Sequence, residues 1–182
     1  MEYVYHVVTE RPMRLGQVIL FDGNHHNGVY NRVTTFFNII NDSEFQNELS
    51  DFIKSDMDKW AKVAYREAAL EKVRLESFKN YPSRMACLYT SRTLEEAESW
   101  AAFFKTLGRK VYSIVKLQIN GNIFDADACN CFDGTENDAE NIGKAFHYWN
   151  KDIKNEKPVI ETLIDGEITV VEIVKEFIKN DN

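Results

Sequence analysis

The stretch Pro158-Val159-Ile160-Glu161-Thr162-Leu163-Ile164-Asp165-Gly166-Glu167-Ile168-Thr169-Val170-Val171-Glu172-Ile173-Val174 decides the fold. Two runs rich in β-branched residues flank Asp165-Gly166. Asp-Gly between such runs signals a type I′ hairpin, whose central residues need positive φ. A two-residue turn sets Ile164 opposite Glu167. Counting outward, Glu161 faces Val170 and Glu172 faces Val159. Glu161 shares its face with Val159 and Leu163. No cation stands opposite it in the hairpin, and an unpaired buried carboxylate is costly. Glu161 must therefore meet water, a ligand or a base from elsewhere. It is either an edge-strand acid facing solvent or a carboxylate in a cleft. Glu167, beside the turn, reads as solvated.

Upstream, Val111 to Ile119 reads as a strand turned by Asn120-Gly121, with Ile123-Phe124-Asp125 on the other side. Thr135 is placed to cap a helix over Glu136 to Asn150. Tyr3 to Thr9 is a β-branched and aromatic strand, left through Pro12 and Gly16. Between Val29 and Tyr81 there is neither Gly nor Pro, which calls for helix. Ser43 and Gln46 have capping-box spacing, and the helix extends past Trp60, Val63 and Ala64 to Phe78. Pro82 stops it. Met85 to Thr90 is a short strand. Thr93 and Glu96 form a second capping box, opening a helix that Gly108 ends. The tail, Lys175 to Asn182, reads as frayed or a short helix. Late strands joined by turns predict an α+β fold with a largely antiparallel sheet, not a wound parallel one.

With 182 residues the chain fits one domain, 1–182. Its 22 basic and 29 acidic residues leave a net charge of −7, which argues against non-specific nucleic-acid coating. An apolar share of 44% and an aromatic share of 13% exclude a disordered chain. No apolar run is long enough to span a membrane. No secretory signal is visible at Met1 to Glu10, and three cysteines make no disulfide framework, so a cytoplasmic setting is expected. P-loop, Rossmann and serine-hydrolase motifs are absent. Cys129-Asn130-Cys131 and His25-His26 lack metal-site spacing, so no metal is expected. The acidic stretch from Asp125 to Glu140 lacks the calcium-loop pattern.

Four further residues invite a functional reading beside an ordinary one. His6 lies mid-strand, where a hydrogen-bonded structural role is the commoner one. Tyr89 and Trp100 read as core aromatics. Arg84 follows Pro82-Ser83 at a helix-to-strand corner, where it caps carbonyls or grips a phosphate bidentately.

Taken together, these residues resemble the ADP-ribosyltransferase superfamily. That fold carries a His or Arg on its first core strand, a Tyr or Ser on or after a middle strand, and a Glu on a late strand. Tyr5-His6-Val7-Val8-Thr9 resembles the first strand of small bacterial members. Leu88-Tyr89-Thr90-Ser91 followed by Thr93-Leu94-Glu95-Glu96-Ala97 and Trp100-Ala101 resembles the second motif, with Tyr89 and Trp100 eleven residues apart. Glu161-Thr162-Leu163-Ile164 resembles the late strand bearing the catalytic acid; a second alignment puts Glu167 there. Arg66 to Glu71, Tyr81-Pro82-Ser83-Arg84 and Leu88-Tyr89 resemble a bacterial family of uncharacterised domains assigned to this fold.

The resemblance implies a split, mostly antiparallel sheet; the long helix read above then stands as an insertion between the first and second core strands, larger than the family's usual connection. It implies NAD as substrate, with ADP-ribosyl transfer or glycohydrolysis as the reaction. His6, Tyr89 and Glu161 would be catalytic, with Glu167 the alternative acid. His6, Arg84, Tyr89 and Trp100 would bind NAD: His6 at a ribose or amide, Arg84 at the pyrophosphate, Tyr89 and Trp100 on the nicotinamide. The acceptor would be a protein, a nucleic acid or water. A non-catalytic nucleotide- or protein-binding domain of the same fold is the alternative.

Overall fold

The fold is seen in a computed structural model, which describes residues 2–41 and 51–178, with 51–55 by backbone alone. It is α+β, with two antiparallel sheets. The first sheet contains β1 (Glu2–Val8), β2 (Val18–Phe21), β4 (Ser113–Asn120) and β7 (Gly166–Glu176), in the order β1-β4-β7-β2. The second contains β3 (Leu88–Thr90), β5 (Ile123–Asp127) and β6 (Ile160–Ile164), in the order β3-β6-β5. A bridge between Tyr5 and Ser91 joins the outer edge of β1 to the end of β3, through backbone hydrogen bonds of 2.9 and 2.8 Å. Four α-helices, α1 (Gly28–Asn41), α2 (Asp51–Ser77), α3 (Leu94–Thr106) and α4 (Asp138–Asn150), and a short 3-10 helix, Ala128–Asn130, complete the described elements.

The expected hairpin at Asp165-Gly166 is not formed. β6 pairs with β3 and β5, whereas β7 pairs with β4 and β2. Asp165 is the point where the chain leaves one sheet for the other. Asn120-Gly121 is a second such passage, carrying the chain from β4 to β5. The two passages touch. A Cβ on Gly121 would collide with the Asp165 carbonyl, and one on Gly166 with that of Asn120. The Asp165 carboxylate accepts the Asn122 amide at 2.8 Å. Gly166 has φ +77°, but Asp165 does not share the positive φ that a type I′ turn needs at both central residues. The Asp-Gly pair serves a sheet switch here, because a local conformation does not say which strand the next run will pair with. Glu161 consequently lies opposite Ala126, and Val170 opposite Leu117.

Other boundaries shift less. Thr93 and Glu96 form the expected reciprocal cap of α3. Asn137, not Thr135, caps α4, and the Thr135 hydroxyl accepts the Asn137 amide. β2, unassigned in the sequence reading, pairs with β7, and β7 itself runs to Glu176, into the expected tail. The insertion between β1 and β3 holds β2, α1 and α2; the Ser43 capping box falls outside the described residues.

Three apolar clusters place the site. Val4, Val8, Leu117, Ile164 and Ile168 fill the space where the sheets face each other. α3 covers the opposite face of β1 and β4 through Ala97, Ala101, Val7 and Ile114. α2 and α4 cover the second sheet through Leu70, Val73, Tyr148, Trp149, Phe124 and Leu163. Each Val, Leu, Ile or Phe among them, fully buried, contributes about 1.5–3 kcal/mol.

Candidate functional site

Glu161 sits on β6, the middle strand of the second sheet, beneath α2 and α4. It is 8% exposed. Its base from elsewhere is Arg84, which the Pro82-Ser83 corner delivers after α2 ends. The corner is pinned from α2: the Ser83 hydroxyl donates to Glu71 at 2.8 Å, and Arg74 donates to the Tyr81 carbonyl at 3.1 Å.

The Arg84 guanidinium is buried and divided among four partners. Nε donates to Glu67 Oε2 at 3.0 Å. Nη1 donates to Glu161 Oε1 and to the Tyr148 hydroxyl, both at 2.6 Å. Nη2 reaches Cys131 Sγ at 3.5 Å. The rings of Tyr89 and Tyr148 lie 5.3 and 5.1 Å from the guanidinium carbon, within cation–π range. The Tyr148 hydroxyl donates to Glu161 Oε1 at 2.9 Å. Glu67, from α2, uses its other oxygen to pair with Arg66 at 2.9 Å. Two guanidiniums thus face two carboxylates, and the buried charges balance.

Burial by itself pulls the Arg84 pKa down, but Glu161 and Glu67 reverse this and hold it well above its ordinary value. Burial pushes the Tyr89 and Tyr148 phenols well up, and also raises the Cys131 thiol. All three stay protonated at neutral pH. Among the described residues nothing donates to Glu161 Oε2, although Oε1 receives two donors.

The structure brings Glu161, Arg84 and Tyr89 together. The Tyr89 hydroxyl also donates to the Arg84 carbonyl at 3.0 Å. His6 joins through the backbone: its Nδ1 is 2.8 Å from the Tyr89 carbonyl. A carbonyl only accepts, so Nδ1 carries the proton and Nε2 is left with a lone pair. Burial lowers the His6 pKa, which keeps the ring neutral. Trp100 stands apart. Its indole N–H donates to the Ile160 carbonyl at 3.1 Å, and its ring packs on Phe103 and Phe104. It braces the start of the Glu161 strand. Glu167 belongs to the first sheet, opposite Leu20 and Asn120, and makes no contact with this cluster.

Sequence reasoning missed Glu67, Tyr148 and Cys131. Glu67 had a legible signal. It is three residues from both Ala64 and Leu70, so a carboxylate stands in the middle of a buried helical stripe, at 1% exposure. Tyr148 lay hidden among core aromatics, and Cys131 carried no signal.

A separate open cavity of about 350 Å³ lies beside the Ser83 to Ala86 corner, lined among others by Asp22, His26, Arg74 and Lys79. None of the expected site residues lines it. No group of His, Cys, Asp and Glu among the described residues is arranged to hold a metal ion. None of the described helices is long and apolar enough to cross a membrane.

Fold and site together define an α+β protein in which a buried arginine from a helix-to-strand corner is shared by a helix carboxylate and a strand carboxylate. The chain belongs to the family described as "Protein of unknown function (DUF2441)", which it matches over residues 4–176. No curated protein matches it.

Proposed function

We propose that the chain is an ADP-ribosyltransferase-like domain that acts on NAD, with Glu161 as its acid. One observation carries the reading: Glu161 is held on a strand by two donors to Oε1, while Oε2 receives none from the described residues. A carboxylate fixed in this way can accept a hydrogen bond from the 2′-hydroxyl of the nicotinamide ribose. Oε2, which no described residue shares, then polarises that hydroxyl as positive charge develops at the ribose when the ribose–nicotinamide bond breaks. The electron pair of that bond leaves with nicotinamide. The ribose carbon is taken by an acceptor oxygen or nitrogen from a protein, a nucleic acid or water, which loses its proton.

Support also comes from strand placement. Tyr89 and Leu163, opposite each other in the β3–β6 ladder, share with Glu161 the face covered by α2 and α4, whereas His6 shares the face of β1 with Val4 and Val8 and meets this site only through the Tyr89 carbonyl. In this reading Arg84 does not grip the pyrophosphate, because Glu67 and Glu161 already balance its charge. It holds Glu161 instead. The same ion pair favours a second reading, a nucleotide-binding domain without catalysis.

The test is nicotinamide release from NAD by the purified protein, alongside calorimetric NAD binding. Release by the wild type, reduced roughly 10²–10³-fold in Glu161→Gln, is the expected result. Loss in Glu167→Gln instead would move the acid to β7. Binding without release would establish the second reading, and neither binding nor release would overturn both.

A further inference from the structure

Arginine and carboxylate usually meet through two parallel N–H···O bonds, which occupy both carboxylate oxygens. Arg84 and Glu161 do not. A guanidinium can offer such a fork from Nε with Nη2, or from Nη1 with Nη2. Here each fork is divided. Nε donates to Glu67 at 3.0 Å and Nη2 is directed to Cys131 Sγ at 3.5 Å, so that Glu161 is met by Nη1 alone. Tyr148 reinforces the division, since its hydroxyl accepts from Nη1 and donates to the same Oε1 that Nη1 holds. The two phenol rings fix the plane of the guanidinium. Six parts of the chain converge on this arrangement: α2, the Pro82 corner, β3, the segment after β5, α4 and β6.

We infer that Glu67, Cys131 and Tyr148 are positioning residues that restrict Arg84 to one oxygen of Glu161 and so keep Oε2 available to a ligand hydroxyl. The inference deepens the NAD reading and rests on it for the identity of that ligand. Glu67 takes the guanidinium edge. Cys131 draws the Nη2 tip towards itself and away from Oε2; its raised pKa keeps it a neutral thiol, so it does this without adding charge. Tyr148 fixes which Glu161 oxygen is held.

The test combines crystal structures of the wild type, Cys131→Ala and Tyr148→Phe with their nicotinamide-release kinetics. Both variants are smaller than the native residue by one atom, so they disturb folding far less than a change at Glu67. In Cys131→Ala, Nη2 is expected to turn to Glu161 Oε2 and make the pair bidentate. In Tyr148→Phe, Oε1 loses its second donor and the carboxylate rotates. Each change should lower kcat roughly ten- to hundredfold with KM for NAD unchanged, since only the geometry at the reacting ribose is altered. Cys131→Ser, which retains a group able to accept from Nη2, should restore most of the rate. A Cys131→Ala structure in which Nη2 stays away from Oε2, or a rate equal to the wild type, overturns the inference. If the wild type releases no nicotinamide, the NAD reading fails, and the distance between Nη2 and Oε2 in Cys131→Ala alone decides whether the positioning inference stands.

Discussion

His6 shows how one side chain reports on its surroundings. Its ring is neutral because burial disfavours the imidazolium, so its folded pKa lies below the ordinary value of 6.5. The unfolded chain therefore takes up this proton first as pH falls. The stabilisation is fully present above pH 6.5, and it is lost as pH falls through the folded value. The urea midpoint should drop between pH 7.5 and 5.5, and drop less in His6→Asn; equal drops in both would remove His6 from the account. The carboxylates of Asp125 and Asp127, both held below their ordinary value of 3.8, act in a lower pH range. Glu161 was legible at this scale because a strand carboxylate without a local partner requires explanation. Arg84 was legible as a residue, but its partners were not. They lie 17 and 77 positions away in the chain, a separation that no local pattern spans.

The elements illustrate where short-range signals mislead. Asp165-Gly166 and Asn120-Gly121 both read as turns within a sheet, and both are passages between sheets. Gly166 is required by its positive φ and by contact, Gly121 by contact alone. Gly121→Ala and Gly166→Ala should each destabilise by about 2 kcal/mol or more, since the methyl group meets backbone that cannot give way. Gly143 is the contrast: it lies in α4 with nothing within 4 Å of an added Cβ. Gly143→Ala should stabilise by about 0.5–1 kcal/mol through helix propensity. Denaturant melts of the three variants check both signs. α3 was read correctly because its start is encoded in four consecutive residues, Thr93 to Glu96, and a cap is a local event.

At the scale of the molecule, the sheets are coupled in three ways: the Tyr5–Ser91 bridge, the paired passages and the shared cluster of Val4, Ile164 and Ile168. Neither sheet keeps a complete core without the other. Unfolding should therefore be a single transition. Far-UV circular dichroism and tryptophan fluorescence should share one urea midpoint, although Trp100 packs over the first sheet and Trp149 under the second. Separate midpoints would mean that the sheets fold independently.

By itself the sequence determined the α+β class, the helix over α2, the cap of α3, and the strand nature of β1, β4 and β6. All of these follow from periodicities of 2 and 3.6 residues or from caps within one turn, so neighbouring residues suffice. Which strands pair, and that Glu67, Arg84, Tyr148 and Glu161 form one charge-balanced cluster, were decided only by the tertiary structure. Hydrogen-bonding edges of strands carry no address, and a buried charge is satisfied by whichever partner the packing of distant segments brings within about 3 Å.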